Sequence, residues 1–192
     1  MILSLVAGPT AELITLAEAK AHLRLETNLD DAYVNALIVA ARQYVEKISW
    51  RAFVTQTWML TLDGFPGDVI ELPRGSLISV ATVQYLDPNN VSQVVPNTVY
   101  ELDKLSIPGH ILLKEGQSWP DTLLRWNAVN ITYDVGYGPT PADVPEPVKH
   151  VVKLLVSQMY EHRTPEVTGT IVSQVKFAVD ALLYNYRLMR FA

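Results

Sequence analysis

The chain has no cysteine among its 192 residues. That excludes disulfide staples, thiol nucleophiles, Cys-ligated zinc and iron–sulfur clusters. It also has no run approaching ~18 consecutive apolar residues, so no membrane-spanning helix is expected. Its apolar start, MILSLVAGPTAELI, lacks the basic opening of a signal peptide. The expected compartment is therefore the cytosol, or a particle assembled from it. Basic charge is in short supply: 15 Lys and Arg stand against 20 Asp and Glu, a formal net charge of −5. Gripping nucleic acid through its phosphates needs the opposite balance. Lining a channel through which DNA slides does not, because an acidic wall would not hold it. No internal repeat and no low-complexity run is present.

The common signatures of chemistry are missing as well. GYGPTP, from Gly136, has two glycines of a dinucleotide fingerprint but not the third, and proline stands where a helix should open. It reads as a turn that ends a strand. The four histidines are His22, His110, His150 and His162, with no HExxH among them. His150 and His162 fall on one expected helix, about 18 Å apart along its axis, too far to share an ion within one chain. No metal site and no cofactor is expected. PRGSLIS and EGQSWP do not make a GxSxG elbow. Asp30 and Asp31 are explained as helix-cap candidates, and Glu71 and Asp103 show no partner in the sequence. No catalytic residue is assigned.

The patterning that is present falls into two kinds. Thr15 and Glu18 in TLAEAKAHLRL form a capping-box signature at a helix start. After it, Val34, Leu37, Ile38, Ala41, Val45 and Ile48 recur at three- and four-residue steps, as on an amphipathic helix of about five turns. From about Arg51 the period changes. Gln56, Trp58, Leu60 and Leu62 share one parity, Gly64, Pro66 and Gly67 mark a turn, and Val80, Val83 and Tyr85 lie in a strand closed by DPNN. SQVVP, TVYELD and HILLKEG are shorter strand candidates. Val129, Ile131, Tyr133 and Val135 then alternate with Asn130, Thr132 and Asp134, the mark of a half-buried antiparallel strand. Gly136, Gly138 and four prolines end it, and Val148, Val151, Val152, Leu155 and Met159 restore a helical stripe up to about Arg163.

This order implies an α+β fold. Residues 1–50 and 144–192 form a helical bundle of three long helices plus a short C-terminal one. Residues 51–143 form an inserted, small antiparallel β-sandwich-like module. The hairpin's apolar stripe needs a partner, and the returning helix supplies it. Trp58, Trp119 and Trp126 are expected in the core of the β-module, against the alternative of a sugar-binding platform. The group Phe177, Leu182, Leu183, Tyr184, Tyr186, Arg187, Met189, Arg190 and Phe191 combines large apolar side chains with arginine, a composition suited to anchoring in a partner protein. Packing against the chain's own helices is the competing reading.

Taken in order along the chain, LAEAKAHLRLETNLDDAYVNALIVAARQYVEKISWRAFVTQTWMLTLDGFP, IELPRGSLISVATVQYLD, WNAVNITYDVGYG, VKHVVKLLVSQMYEHR and VDALLYNYR resemble the head–tail connector (adaptor) proteins of long-tailed bacteriophages. The likeness is to the larger form with a β insertion. The resemblance implies a non-enzymatic virion component at the head–tail interface, assembled in the host cytoplasm. It implies a ring, commonly a dodecamer, beneath the portal protein. Such a ring extends the DNA channel without sequence-specific binding, has no membrane partner, and offers a platform to a stopper or tail-completion protein. It also implies that the C-terminal segment meets the portal. The alternatives are a carbohydrate- or host-surface-binding module and a hydrolase using Glu71, Asp103 or His150.

Overall fold

A computed structural model of the chain describes residues 1–163 and 171–188, with the backbone alone for 171–175. The chain divides into two units, Met1–Thr10 with Thr55–Tyr137 and Ala11–Val54 with Gly138–Ala192. Among the described residues there are four α-helices, and every pairing between strands is antiparallel. The fold class is α+β.

The first unit is β. Its larger sheet has the order β1 (Ile2–Ala7), β2 (Gln56–Leu62), β8 (Val129–Val135), β4 (Leu77–Leu86), β5 (Ser92–Val94). A second sheet runs β3 (Val69–Leu72), β7 (Gly109–Leu113), β6 (Tyr100–Asp103). The middle strand β8 shows why the sequence alternates. Val129, Ile131, Tyr133 and Val135 are fully buried. Their neighbours form a polar ladder on the opposite face: Thr57 and Ser79 each donate to the Asp134 carboxylate at 2.7 Å, and Thr61 donates to Asn130 at 2.8 Å. Opposed side chains across a ladder are the unit of sheet stability, and here Asn130 and Asp134 both find cross-strand partners. Tyr133, buried among apolar neighbours, donates its hydroxyl to the carbonyl of Pro73 at 3.1 Å. Burial pushes that phenol well above its ordinary value. The two sheets approach where a Cβ on Gly109 would lie 2.4 Å from the Cβ of Leu77, so only glycine fits there.

The second unit is helical. Its helices are α1 (Leu16–Leu23), α2 (Asp31–Ser49), α3 (Glu146–Glu161) and α4 (Ile171–Leu183). The Thr15–Glu18 capping box forms as expected: Glu18 N–H donates to the Thr15 hydroxyl, and Thr15 N–H donates to the Glu18 carboxylate. Those bonds, first the one from the Thr15 amide, hold the Glu18 carboxyl below its ordinary value. The faces meant for the core are there: Val34, Ile38, Ala41 and Val45 of α2 and Val148, Val151, Val152 and Val156 of α3 are essentially inaccessible. Where the chain re-enters this unit, Gly138 passes so close to Asp143 that a Cβ would meet its carboxylate at 2.4 Å. That carboxylate accepts from the amide and hydroxyl of Thr140 and fixes the short 3₁₀ turn Pro141–Asp143 ahead of α3.

Three expectations are corrected here. The helices are not three long ones, because α1 has only 8 residues. Arg24 takes a left-handed conformation, φ 58°, and the amides of Arg24 and Leu25 return to the carbonyls of Ala21 and Lys20, which closes the helix. The first ten residues do not go with the helices, because Ile2–Ala7 pairs with β2 in register Ile2↔Thr61. Finally, Trp126 is 80% exposed and does not belong to the core.

Candidate partner-binding surfaces

The C-terminal group singled out in the sequence separates into distinct faces. Phe177 and Tyr184, seven residues apart, are 76% and 68% exposed. Two helical turns place them on one side. Leu183 is fully buried, and Leu182, Tyr186 and Arg187 are half-buried. Met189, Arg190 and Phe191 lie outside the described residues. Past α4 the chain runs back along its own unit, since Leu188 N–H donates to the carbonyl of Ser49 at 2.9 Å. Arg187 forms an ion pair with Asp180 at 2.5 Å.

The other side of α4 closes a groove of about 620 Å³ against the ends of α2 and α3. Its walls are Tyr44, Ile48 and Trp50 from α2 and its cap, Leu155 and Gln158 from α3, and Val179 from α4. Lys47, Lys176 and Arg187 line it too, with Asp180 the one carboxylate. The sequence carried no sign of this groove, because its residues come from three separate segments. The available signal was the mixed face of α2 at its C-terminal end, where Tyr44, Lys47 and Ile48 fall together.

At the opposite end of α2 the chain is clamped. Asp30 is the residue before the helix, as the sequence suggested, but its carboxylate does not cap the helix's own amides. It accepts from the Tyr160 hydroxyl at 2.5 Å and from Arg163 at 3.0 Å. The hydrogen bond from Tyr160, followed by Arg163, holds the Asp30 carboxyl below its ordinary value. The Arg163 guanidinium also lies over the rings of Tyr33, at 4.6 Å, and Tyr160, at 4.9 Å. Lys20 secures the same loop by bonds to Asn28 and Asp31. This cluster joins the start of α2 to the end of α3, and nothing in it converges on a substrate-sized space.

The candidate hydrolytic groups are scattered. Asp103 accepts from the amides of Leu105 and Ser106 in a turn and sits 3.7 Å from His110. Glu71 pairs opposite His110 in the β3–β7 ladder. His150 lies on the other unit, with its ring centroid 6.3 Å from that of His22. Among the described residues no group of three or more His, Asp or Glu could hold a metal ion. Of the three tryptophans of the β-unit, Trp119 stacks on Phe65 at 4.6 Å, Arg74 covers Trp58 at 4.4 Å, and Trp126 is exposed.

The comparison with known proteins then decides the resemblance. Residues 13–93 match the family model described as phage gp6-like head-tail connector protein. The resemblance to phage head–tail connectors is shown. The match runs from the residues ahead of α1 through the α1–α2 hairpin and into β5. Likeness in fold extends over the remainder. A chain in a structure described as "Neck of empty GTA particle computed with C6 symmetry" superposes with a TM-score of 0.81 at 24% identity, covering 100% of this chain and 98% of that one. Chains in "Virion of native gene transfer agent (GTA) particle" and in "Neck of native GTA particle computed with C12 symmetry" each give 0.80, at the same identity and coverage. At that identity the likeness establishes the fold. No curated protein matches the sequence.

Proposed function

We propose that this protein is a structural head–tail connector in the neck of a phage-like particle. Copies assemble into a ring below the portal protein, extend the DNA channel, and offer their far side to a stopper or tail-completion protein. The observation that carries the reading is the correspondence of the whole chain to a neck protein, 100% of one and 98% of the other, together with the family match over residues 13–93. The symmetric necks from which those chains come support a ring of identical contacts, which closes only as a heterologous assembly. The helical unit is the portal-facing part. In this reading the exposed stripe of Phe177 and Tyr184, with Arg187 and the residues beyond it, is the portal anchor. Aromatics and arginine suit such a role because they bury large area at small entropic cost.

The test is removal of residues 175–192. The truncated chain is expected to keep the sheet and the α1–α2–α3 packing, read by circular dichroism. It is expected to lose co-sedimentation with purified cognate portal. Retained portal binding would refute the anchor. A full-length chain that neither binds portal nor appears in the particle neck by electron microscopy would refute the function.

A further inference from the structure

The net charge of the protein is not shared between its units. Met1–Thr10 and Thr55–Tyr137 hold nine carboxylates and four basic residues, whereas the helical unit holds eleven of each. All of the −5 therefore sits on the β-unit. Among the described residues, that unit also presents the most exposed apolar side chains. Leu124 is fully exposed and Trp126 is 80% exposed, both on the segment between β7 and β8. This tip is held in place. Leu123 N–H donates to the carbonyl of Leu86 at 2.9 Å, and Leu86 N–H donates to that of Ala128 at 2.8 Å. Asn127, at φ 60°, donates its amide to the Asp63 carboxylate at 2.9 Å. Arg125 reaches Asn90 on the neighbouring β-turn, next to Val91, which is half exposed. A leucine and a tryptophan are thus exposed on a fixed loop, with Arg125 between them turned to Asn90 and the Asp63 carboxylate at the loop's base. Preorganised aromatic anchors of this kind are what interfaces use, because little ordering cost remains on binding.

The helical unit carries the complement. Its groove is apolar at Ile48, Trp50 and Leu155 and is rimmed by Lys47 and Lys176. A volume of about 620 Å³ lies within the ~300–1,000 Å³ of clefts that enclose a ligand-sized group. Resting on the ring reading above, we infer that the Leu124–Trp126 tip of one copy seats in this groove of the next copy. The contact is heterologous: tip and groove lie on different parts of one sequence, so each copy has one of each and neither is used twice. Opposite charge selects the pairing, and the tryptophan supplies the anchor. Two other leucines are similarly exposed on secured loops: Leu105, on the same unit, has no aromatic side chain in its loop to serve as an anchor, and Leu29 belongs to the electrically neutral unit. Phe177 and Tyr184 do not line the groove, whereas Arg187 does, so the portal anchor and the copy-to-copy contact share that residue.

The absence of cysteine makes the test clean. Leu124→Cys and Tyr44→Cys are purified separately, mixed and oxidised, so that a mixed disulfide can form only between copies. The expected result is a heterodisulfide forming about tenfold or more faster than with a control partner, Val69→Cys on the exposed side of β3. Adding Trp126→Ala to the first variant, or Lys47→Glu with Lys176→Glu to the second, is expected to bring the rate down to that of the control partner. Sedimentation of the same mixtures without oxidant, with and without portal, separates the two levels. Oligomers without an accelerated cross-link overturn the tip–groove contact and leave the ring standing. Absence of both overturns both. Rates unchanged by Trp126→Ala and by the lysine reversals also overturn the contact.

Discussion

Arg42 is the most consequential charge in the helical unit. Its side chain is 9% exposed, its Nε lies 2.7 Å from Glu12, and its Nη1 lies 2.8 Å from Glu46 one turn on. Glu12 directly precedes the buried pair Leu13 and Ile14, so the guanidinium ties the segment ahead of α1 onto α2. Burial works against the charge of Arg42, but the hydrogen bond it donates to Glu12 and the charges of both carboxylates outweigh it and keep the group firmly ionised. Arg42→Met preserves most of the volume and removes the charge. Glu46, whose side chain is 12% exposed, then loses its guanidinium partner in a place where water reaches poorly. Deleting one partner of a buried pair costs about 3–5 kcal/mol. Glu12 is 31% exposed and can rehydrate, so the lower end applies, about 3 kcal/mol. For a chain of this length each kcal/mol lowers Tm by about 2–4 °C, giving a fall of roughly 6–12 °C. The readout is the helical circular dichroism signal in thermal and urea melts. Arg42→Lys should fall between, since one ammonium cannot fork to both carboxylates. Arg42→Met with Glu46→Leu should recover most of the loss, because an apolar pair replaces a broken ionic one. A loss under about 1 kcal/mol for Arg42→Met, or no recovery in the double variant, would refute the reasoning.

Three further outcomes are expected. Gly109→Ala forces a methyl group against Leu77 and should destabilise the β-unit by about 1–3 kcal/mol in a denaturant melt, with the helical signal unaffected. The Asp30 carboxyl is held below its ordinary 3.8, so its contribution is present above that pH and fades as pH falls through the lowered value; acid titration of stability should be shallower for Asp30→Asn than for the parent. The Tyr133 phenol is shifted upward from 10.0, so its protonated form favours folding, and stability should drop as pH rises above about 10; Tyr133→Phe should blunt that alkaline loss while costing about 1–3 kcal/mol at neutral pH for the unpaired Pro73 carbonyl.

Local signals were legible wherever one segment settles its own structure. The Thr15–Glu18 box, the stripe along α2, the alternation of β8 and the glycine–proline stop after it all appear where the sequence placed them. Signals failed where partners from elsewhere decide. Nothing in MILSLVAG distinguishes an edge strand from an apolar lead-in until β2 is there to pair with it. Val80 and Val83, at an odd spacing, belong to one strand only because the register of β4 on β8 slips between Val80 and Thr82. Asp30 looked like a cap because a cap needs only the next few residues, whereas its actual partners are 130 and 133 positions away. Trp126 looked like core because tryptophan usually is, and its outward aim follows from backbone bonds at Leu123 and Asn127 that composition does not encode. The groove was invisible for the same reason. The separation of charge between units was readable from the first, once boundaries were drawn.

The pairing of Ile2 with Thr61 also dictates when the protein can mature. The opening strand leaves the ribosome long before its mate, and the α1–α2 hairpin must emerge between them. The hairpin in turn waits for α3, made almost a hundred residues after α2 ends. Each half of the molecule is therefore held open by the unfinished synthesis of the other, and both close late and nearly together. Newly made chains carry β1 without its mate until β2, ending at Leu62, has been made. Crowded production should then yield strand-exchanged dimers, with Ile2–Ala7 of one chain laid on β2 of another, ahead of any neck assembly.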